Sequence, residues 1–206
     1  MSNGRPAGRK DDVQEVPMGA VVLYKSMSLD GYVAGPDVGA EHPMGRGGTR
    51  LHDWMFTDRP DPRDEEVLAT MTASVGAVVV GRRTFDVGLP HWQDTPYPAP
   101  TFVLTHRTRD ELVMKSATFT FVTTGVEAAL KAARNAAGDK DVIVIGAGTG
   151  RRFLRAGLLD ELLINLVPVV LGSGIRLLED LAHIELTRTQ VIASDEVTHL
   201  RFRVVK

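Results

Sequence analysis

The stretch of this 206-residue chain best suited to chemistry is Asp141–Leu162, DVIVIGAGTGRRFLRAGLLDEL. Val142–Ile145 is an unbroken β-branched run, followed at once by Gly146, Ala147, Gly148, Thr149 and Gly150, and then by Phe153, Leu154 and Leu158 at helical spacing. That order predicts a strand, a tight turn and a helix start. The first amides of a helix have no carbonyl partner within it and carry the positive end of its dipole. Glycines leave such amides open, so a pyrophosphate can settle on them and a bound nucleotide is expected. The same glycines also suit a turn that binds nothing.

Two familiar nucleotide motifs do not fit. The Rossmann fingerprint needs G-x-G-x-x-G and an acid about 20 residues on. Here the third glycine comes one residue early, and INLVPVV, where the acid would fall, has none. The turn also lies in the last third of the chain, which leaves no room for a second mononucleotide-binding half. No Lys-Ser or Lys-Thr closes it as in a Walker loop.

Composition narrows the possibilities further. At 43% hydrophobic and 24% charged, the chain has the make-up of one globular domain with a substantial core. A net charge of −2 gives no basis for a nucleic-acid partner or an acidic membrane surface. No apolar run approaches the ~18 residues that span a bilayer, and the N-terminus lacks a signal-like apolar region, so a cytoplasmic protein is expected. With no cysteine there is no disulfide or thiolate chemistry, and the six histidines show no metal-ligand spacing. Chemistry must come from carboxylates, hydroxyls, histidines or a bound cofactor.

The elements that position the turn can be read in chain order. Residues 1–17 are polar and aperiodic and are expected to be a disordered leader, with the folded domain spanning 18–206. Gly19–Lys25 reads as a strand apolar on both faces, followed by turn signals at Asp30-Gly31 and Gly35-Pro36-Asp37 around a short YVA segment. The glycine-bearing loop 38–50 reads as a lid or binding loop, or as a disordered insert. Asp61 is placed to cap a helix with Pro62 in its first turn, running to about Ser74 on Val67, Leu68 and Met71. Ala77–Gly81 is a buried strand, after which RRTFDVGLPHW starts as a short helix and dissolves into a proline-rich loop through Pro100. Thr101–Thr105 and Thr118–Thr123 are strands. Thr124 and Glu127 match a capping box for a helix ending before Gly138. Glu161–Val170 is a long strand. At the end of the chain Leu200, Phe202 and Val204 alternate with His199, Arg201 and Arg203, which predicts an antiparallel strand with a solvated face. The expected fold class is α/β: a mixed sheet with an antiparallel C-terminal edge.

Four segments in order, SLDGYVAGPD, VVVGRRTFD, TFVLTHR and IGAGTGRRFLRAGLLDELLINLVPVVLGSG, resemble the dihydrofolate-reductase-like family. Within it they are most similar to the C-terminal reductase domain of the bifunctional riboflavin-biosynthesis deaminase-reductases. The resemblance covers nearly everything from Gly19 to Lys206. It implies a single-domain fold with a mostly parallel central sheet flanked by helices. It also implies NADPH lying across the carboxyl ends of the strands and a small-molecule substrate at the end of the first strand.

On that resemblance, Gly81, Arg82, Arg83 and Thr84 form one basic corner and Thr105, His106 and Arg107 a second, gripping the 2′-phosphate that separates NADPH from NADH. Charge-assisted hydrogen bonds of roughly 1.5–3 kcal/mol each would suffice for that discrimination. Gly146, Ala147, Gly148, Thr149 and Gly150 take the pyrophosphate. The dihydrofolate reductases have two adjacent glycines where this chain has Gly146-Ala147, so a family backbone needing both would have to differ here. Asp30 is the best-matched polar residue on the substrate side, and equally a turn aspartate. Asp53 sits roughly where the dihydrofolate reductases carry their carboxylate, and burial against Trp54 would suit it to donate a proton. Glu41 or water could serve instead. The activity implied is NADPH-dependent reduction of a C=N or C=O bond in a heterocyclic or phosphoribosylated substrate, of the 5-amino-6-(5-phosphoribosylamino)uracil reductase type. A dihydrofolate or pterin reductase, and a catalytically silent NADPH-binding sensor, are the alternatives. A homodimer is expected by the same resemblance.

Overall fold

In the computed structural model, which describes residues 19–206, the chain alternates strands and helices. It opens with β1 (Val21–Ser28) and β2 (Tyr32–Ala34), a 3-10 helix over Gly48–Met55, α1 (Pro62–Ser74), β3 (Val75–Gly81) and α2 (Arg82–Trp92). The middle holds β4 (Thr101–Leu104), β5 (Leu112–Val113), β6 (Thr118–Val122), α3 (Val126–Ala137), β7 (Asp141–Ile145) and α4 (Ala147–Arg155). It ends with β8 (Glu161–Val167), β9 (Ile175–Arg176), β10 (Leu186–Ala193) and β11 (Thr198–Val204). The expected leader, 1–17, lies outside the described residues.

A 9-stranded sheet runs β10-β11-β8-β1-β7-β3-β4-β6-β5. From β8 to β6 in that order neighbours are parallel, and the edges are antiparallel: β11 on β8 and β10 on β11 at one side, β5 on β6 at the other. The central strands are unbroken apolar runs because both faces are covered. Val21, Leu23, Val79, Val142 and Val144 pack with Ala129, Ala133, Phe153 and Leu154 of α3 and α4. Their alternates Val22, Val78 and Ile143 pack with Met71 of α1. Phe85 of α2 fills the space against Val80, Val103 and Phe119. A smaller cluster joins Leu51 and Trp54 of the 3-10 helix to Val167 and Val197.

Local signals decided several boundaries correctly. The Asp61 side chain accepts from the Arg63 amide with Pro62 opening α1, which runs over the expected residues. Three expectations need correction. Helix α2 does not dissolve but continues past Pro90 to Trp92, whose ring stacks on Phe119 at 6.3 Å, so packing holds a segment that local propensity would end. The Thr124–Glu127 capping box does not form: Gly125 is the N-cap, which places Glu127 at the second helical position, where the reciprocal bond cannot close. Strand β8 ends at Val167, short of Val170.

The solvated face expected of the last strand is also only partly solvated. Arg203 is exposed, but His199 is 2% exposed. Its Nδ1 lies 2.7 Å from Asn165 Oδ1 on the adjacent strand, and its Nε2 lies 2.8 Å from Asp64 Oδ1 in the first turn of α1. Ser194 donates to the other Asp64 oxygen at 3.0 Å, and the Trp54 ring meets the imidazole edge-on at 5.0 Å. Helix α1 covers that end of the face, so polarity there marks a buried hydrogen-bonded network in which the Asn165 Nδ2 alone lacks a partner among the described residues.

Replacing His199 with Ala takes away the partner of Asp64 Oδ1 and of Asn165 Oδ1 in a buried site and should lower stability by about 3 kcal/mol in urea unfolding. Arg203→Ala, on the open end of the same face, should stay within about 0.5 kcal/mol. Equal small effects would show that the network carries no weight.

Candidate functional site

The carboxyl ends of β3, β4 and β7 open onto a cavity of about 800 Å³. Gly81, Arg82, Arg83 and Thr84 line it from the β3–α2 corner, Thr105, His106 and Arg107 from the turn after β4, and Gly146, Ala147, Gly148 and Thr149 from the β7–α4 junction. Topology brings these three stretches together because β7, β3 and β4 are adjacent parallel strands, which places the following segments along one edge. Asp86, Arg151 and Arg152 also line the cavity, as do Gly174, Ile175 and Glu179 from the segment after β8.

The β7–α4 junction is tighter than a glycine-rich loop. Gly146 alone makes the turn, at φ 100°, and α4 begins at Ala147 inside the glycine run with no side-chain cap. Gly150 N donates to Gly146 O at 2.9 Å, the first helical bond, so the amides of Ala147, Gly148 and Thr149 lack intrahelical partners where they border the cavity. Gly150 lies outside the lining: a Cβ there would come within 2.7 Å of Leu23 Cδ1, and its missing side chain lets α4 rest on β1. Ala147 needs no glycine, because the positive φ belongs to Gly146 and the Ala147 methyl is buried in the core. The departure from a double glycine is absorbed without opening the turn.

Two hydroxyls sit close against the glycines of the neighbouring corners. Thr149 is buried, and any side chain on Gly81 would come within 2.5 Å of its Oγ1, while Thr84 Oγ1 stands 2.8 Å from where a Cβ on Gly146 would lie. Thr105 Oγ1 accepts from the Arg107 amide at 3.1 Å and shapes the second corner. The arginines differ in how they are engaged. Arg82 Nε donates to both oxygens of Asp86, at 2.7 and 2.9 Å. Arg83 donates to the Val38 carbonyl at 3.1 Å, tying loop 38–50 to the start of α2. Arg151 pairs with Glu179. That loop is ordered, its turns closed by bonds such as Gly35 N to Met44 O and Arg46 N to Pro36 O.

The two carboxylates expected on the substrate side do not line this cavity. Asp30 accepts from Ser28 Oγ at 2.6 Å, Gly172 N at 2.7 Å and Leu171 N at 3.1 Å. The Ser28 hydroxyl and these amides hold its carboxyl down to about 2, and it clasps the β1–β2 turn to the segment after β8. Asp53 does not have the burial expected of it: its side chain is 60% exposed and lies 3.9 Å from Arg50. In the 3-10 helix Trp54 points inward, 1% exposed, so its neighbour Asp53 points out, into a separate cavity of about 440 Å³ with Asp61, Asp64, Asp195 and Glu196. Glu41 is exposed in loop 38–50.

Lys25 and His52 were not singled out by the sequence. Lys25 stands on β1 two residues beyond the last β1–β7 pair, Leu23↔Val144, level with the Gly146 turn, and burial lowers its amine to about 8. His52 is half-buried, and burial followed by the Lys25 charge lowers it to about 4, with the Gly48 carbonyl and Asp53 opposing. Lys25 has no ion-pair partner among the described residues. A lysine inside an otherwise apolar strand was the available signal. Arg151 and Arg152, immediately after the glycine run, were equally legible, whereas Glu179 reaches the cavity only through tertiary packing. No helix is long and apolar enough to cross a membrane, and no trio of His, Asp or Glu could hold a metal ion, among the described residues.

The strand order, and a crevice at the carboxyl edge walled by helix starts, define a dihydrofolate-reductase-like protein. The fold matches that of the Enterococcus faecalis dihydrofolate reductase complexed with NADP(H), at TM-score 0.59 and 14% identity over 92% of this chain and 99% of that one. More particularly, the chain belongs to the RibD C-terminal domain family, a family of reductases, whose profile matches residues 20–200. It is similar to a riboflavin-biosynthesis candidate from Shewanella sp. PV-4, at 25% identity and TM-score 0.69 over 91% of this chain and 99% of that one. It also shares its fold with the Thermotoga maritima diaminohydroxyphosphoribosylaminopyrimidine deaminase/5-amino-6-(5-phosphoribosylamino)uracil reductase. That match is at 15% identity and TM-score 0.62, over 91% of this chain and 57% of that one.

His52 gives a pH prediction. Unfolded, it takes up its proton near 6.5; folded, only near 4. Between those values the unfolded state holds more protons, so stability should fall as pH drops through that window, by at most about 3 kcal/mol. His52→Gln should flatten this part of the profile in urea unfolding measured from pH 7 to 4. An unchanged slope would mean that His52 is protonated alike in both states.

Proposed function

We propose that the protein is an NADPH-dependent reductase that delivers hydride to a C=N or C=O bond of a small heterocyclic or phosphoribosylated substrate. The reading is of the 5-amino-6-(5-phosphoribosylamino)uracil reductase type, with the protein acting as a cytoplasmic homodimer. The observation that carries it is the convergence of the uncapped α4 amides and two basic corners on one cavity at the carboxyl edge of the sheet. RibD C-terminal domain membership and the likeness to the Shewanella protein support the riboflavin-type substrate.

The residues present fit the cofactor. Amides 147–149 suit the pyrophosphate, Thr84 and Thr149 keep the junction closed, and the arginine-bearing corners suit the adenosine end. When bound, the dinucleotide supplies the hydride. The chain's own work is to orient the substrate, exclude water and deliver a proton. We assign that proton to Lys25: below about 8 it is an ammonium with no ion-pair partner among the described residues, midway along β1 and level with the Gly146 turn. His52, neutral above about 4, adds no competing charge beside it. Asp30, held ionised, serves by fixing the segment after β8, which brings Gly174 and Ile175 to the cavity wall. Asp53, matched to the carboxylate of the dihydrofolate reductases, is exposed, which gives a shielded proton donor at that position no support.

Following nicotinamide absorbance with the phosphoribosylaminopyrimidine and with dihydrofolate, we expect NADPH oxidation with the first only. Binding of NADPH without oxidation by either would favour the sensor reading. Lys25→Met should lower turnover by about a hundredfold or more while leaving NADPH binding unchanged. In the unaltered protein, turnover should decline as pH rises through about 8, where the ammonium is lost. A Lys25→Met variant of full activity would remove Lys25 from the reaction.

A further inference from the structure

A buried polar atom without a partner costs free energy in the folded protein, so such an atom near a ligand site indicates what the ligand must supply. Two stand close together here. Tyr24 Oη on β1 and Asn165 Nδ2 on β8 are both buried and bonded to nothing among the described residues. Tyr24 lies beside Leu163 and Ser26 beside Asn165, which puts the phenol and the amide on one face of the sheet, a diagonal step apart. The Asn165 side chain is near enough to act on the phenol, opposing the burial that pushes Tyr24 up to about 12, yet no aligned hydrogen bond joins them. Tyr24 is therefore a neutral phenol at neutral pH.

The Asn165 amide is held from its other side. Its Oδ1 lies 2.7 Å from His199 Nδ1, and His199 Nε2 lies 2.8 Å from Asp64 Oδ1. An amide oxygen only accepts, so His199 carries a hydrogen on Nδ1, and one further proton is shared between Nε2 and Asp64. With Oδ1 engaged, Nδ2 is turned to the Tyr24 side, where it can donate to the phenol oxygen. The phenol then keeps its own O–H to donate elsewhere. Ser26, on the same face, already accepts from the Trp54 indole at 3.3 Å, and both oxygens of Asp64 are engaged, by His199 and Ser194. What this face offers a ligand is thus a pair of neutral donors.

The pair stands at the substrate end of the crevice. β7 leaves β1 after the Leu23–Val144 pair while β1 continues to Ser28, so from Tyr24 onward the edge of β1 on that side has no strand beside it. Tyr24 points to the face that packs on Met71 of α1, with Ile145, the residue before the Gly146 turn, in the same cluster; Lys25 points to the opposite face. A flat ring laid along that open edge meets both. Two converging neutral donors fit a carbonyl oxygen, whereas the amino-substituted edge of a pterin needs acceptors.

We propose that Tyr24 and Asn165 form the point at which a ring carbonyl of the substrate is recognised, with His199 and Asp64 as positioning residues that hold the Asn165 amide. The proposal rests on the reductase reading for the place of the substrate, and it narrows the substrate to an oxo-substituted heterocycle.

The test uses the full chain and 5-amino-6-(5-phosphoribosylamino)uracil, whose binding is followed by calorimetric titration in the presence of NADP+ and whose turnover is followed with NADPH. Tyr24→Phe, which removes only the hydroxyl, should weaken binding and raise KM by about tenfold, while kcat stays within a factor of about two and NADPH binding is unchanged. His199→Ala, measured at a temperature where it remains folded, should raise KM to a similar extent. His199→Asn, which keeps a donor near the Nδ1 position, should restore most of the loss; a purely structural His199 would alter unfolding in both variants without moving KM. The proposal is overturned, and the reductase reading left standing, if Tyr24→Phe binds and reduces the uracil as the unaltered protein does. It is also overturned if Tyr24→Phe loses NADPH affinity to the same degree. Tyr24-dependent binding without turnover overturns the reductase reading and leaves the recognition point in place. An unaltered protein that neither binds nor reduces the uracil overturns both.

Discussion

The crevice depends on one close approach, that of helix α4 to strand β1 at Gly150 and Leu23. Because Gly150 contributes no side chain, the Leu23 side chain packs directly against the α4 backbone, and the helix can lie close over the sheet. Its unpartnered amides are then presented at the sheet edge, away from neighbouring side chains. A larger residue at 150 would push the helix start outward and swing amides 147–149 away from the corners after β3 and β4. Gly146 meets the complementary demand, since its φ of 100° lets the chain reverse in one residue. Two glycines thus do different work within a motif that reads as uniform: one turns the chain, the other sets the distance between a helix and a strand.

Much of this was legible because the signals were local. β-Branched runs, the Asp61-Pro62 cap and the glycine run each act within a few residues, so the sequence pattern and the structure agree on β1, β3, β7 and α1. The cavity lining was legible for a topological reason: segments that follow adjacent parallel strands must share an edge. What could not be read is what depends on partners far along the chain. Trp92 keeps α2 going past a proline by stacking on Phe119, and Glu179 comes to Arg151 only after the β2–β9 pairing folds its segment back. The depth of a side chain such as Asp53 is likewise a matter of which way a short helix rolls, and the burial of Trp54 decided that.

His199 shows the limit of period-2 reasoning. The alternation that places it on a face with Arg201 and Arg203 is real, but the face is not uniform. Its first end is roofed by α1, its middle is half covered where Arg201 pairs with Glu161, and its last residue is open. A buried imidazole requires partners, and the chain provides them from three separate places: Asn165 one strand over, Asp64 on the helix above, and Trp54 at its edge. The polar residue that looked like a mark of solvent is therefore the point where three elements are held in register.

Charge is distributed in the same uneven way. A net charge of −2 suggests a chain with no preference for anions, yet the main cavity gathers Arg82, Arg83, Arg107, Arg151 and Arg152 against Asp86 and Glu179. The opposing carboxylates Asp53, Asp61, Asp64, Asp195 and Glu196 border a different cavity beside the 3-10 helix, with Arg50 and Arg59. Segregation of this kind acts over roughly a Debye length, about 8 Å at physiological salt, so each cavity presents its own field and the average over the surface is irrelevant to a ligand. The arginine-rich cavity at the edge formed by β7, β3 and β4 thus favours an anionic ligand, and the carboxylate-lined cavity beside the 3-10 helix disfavours one.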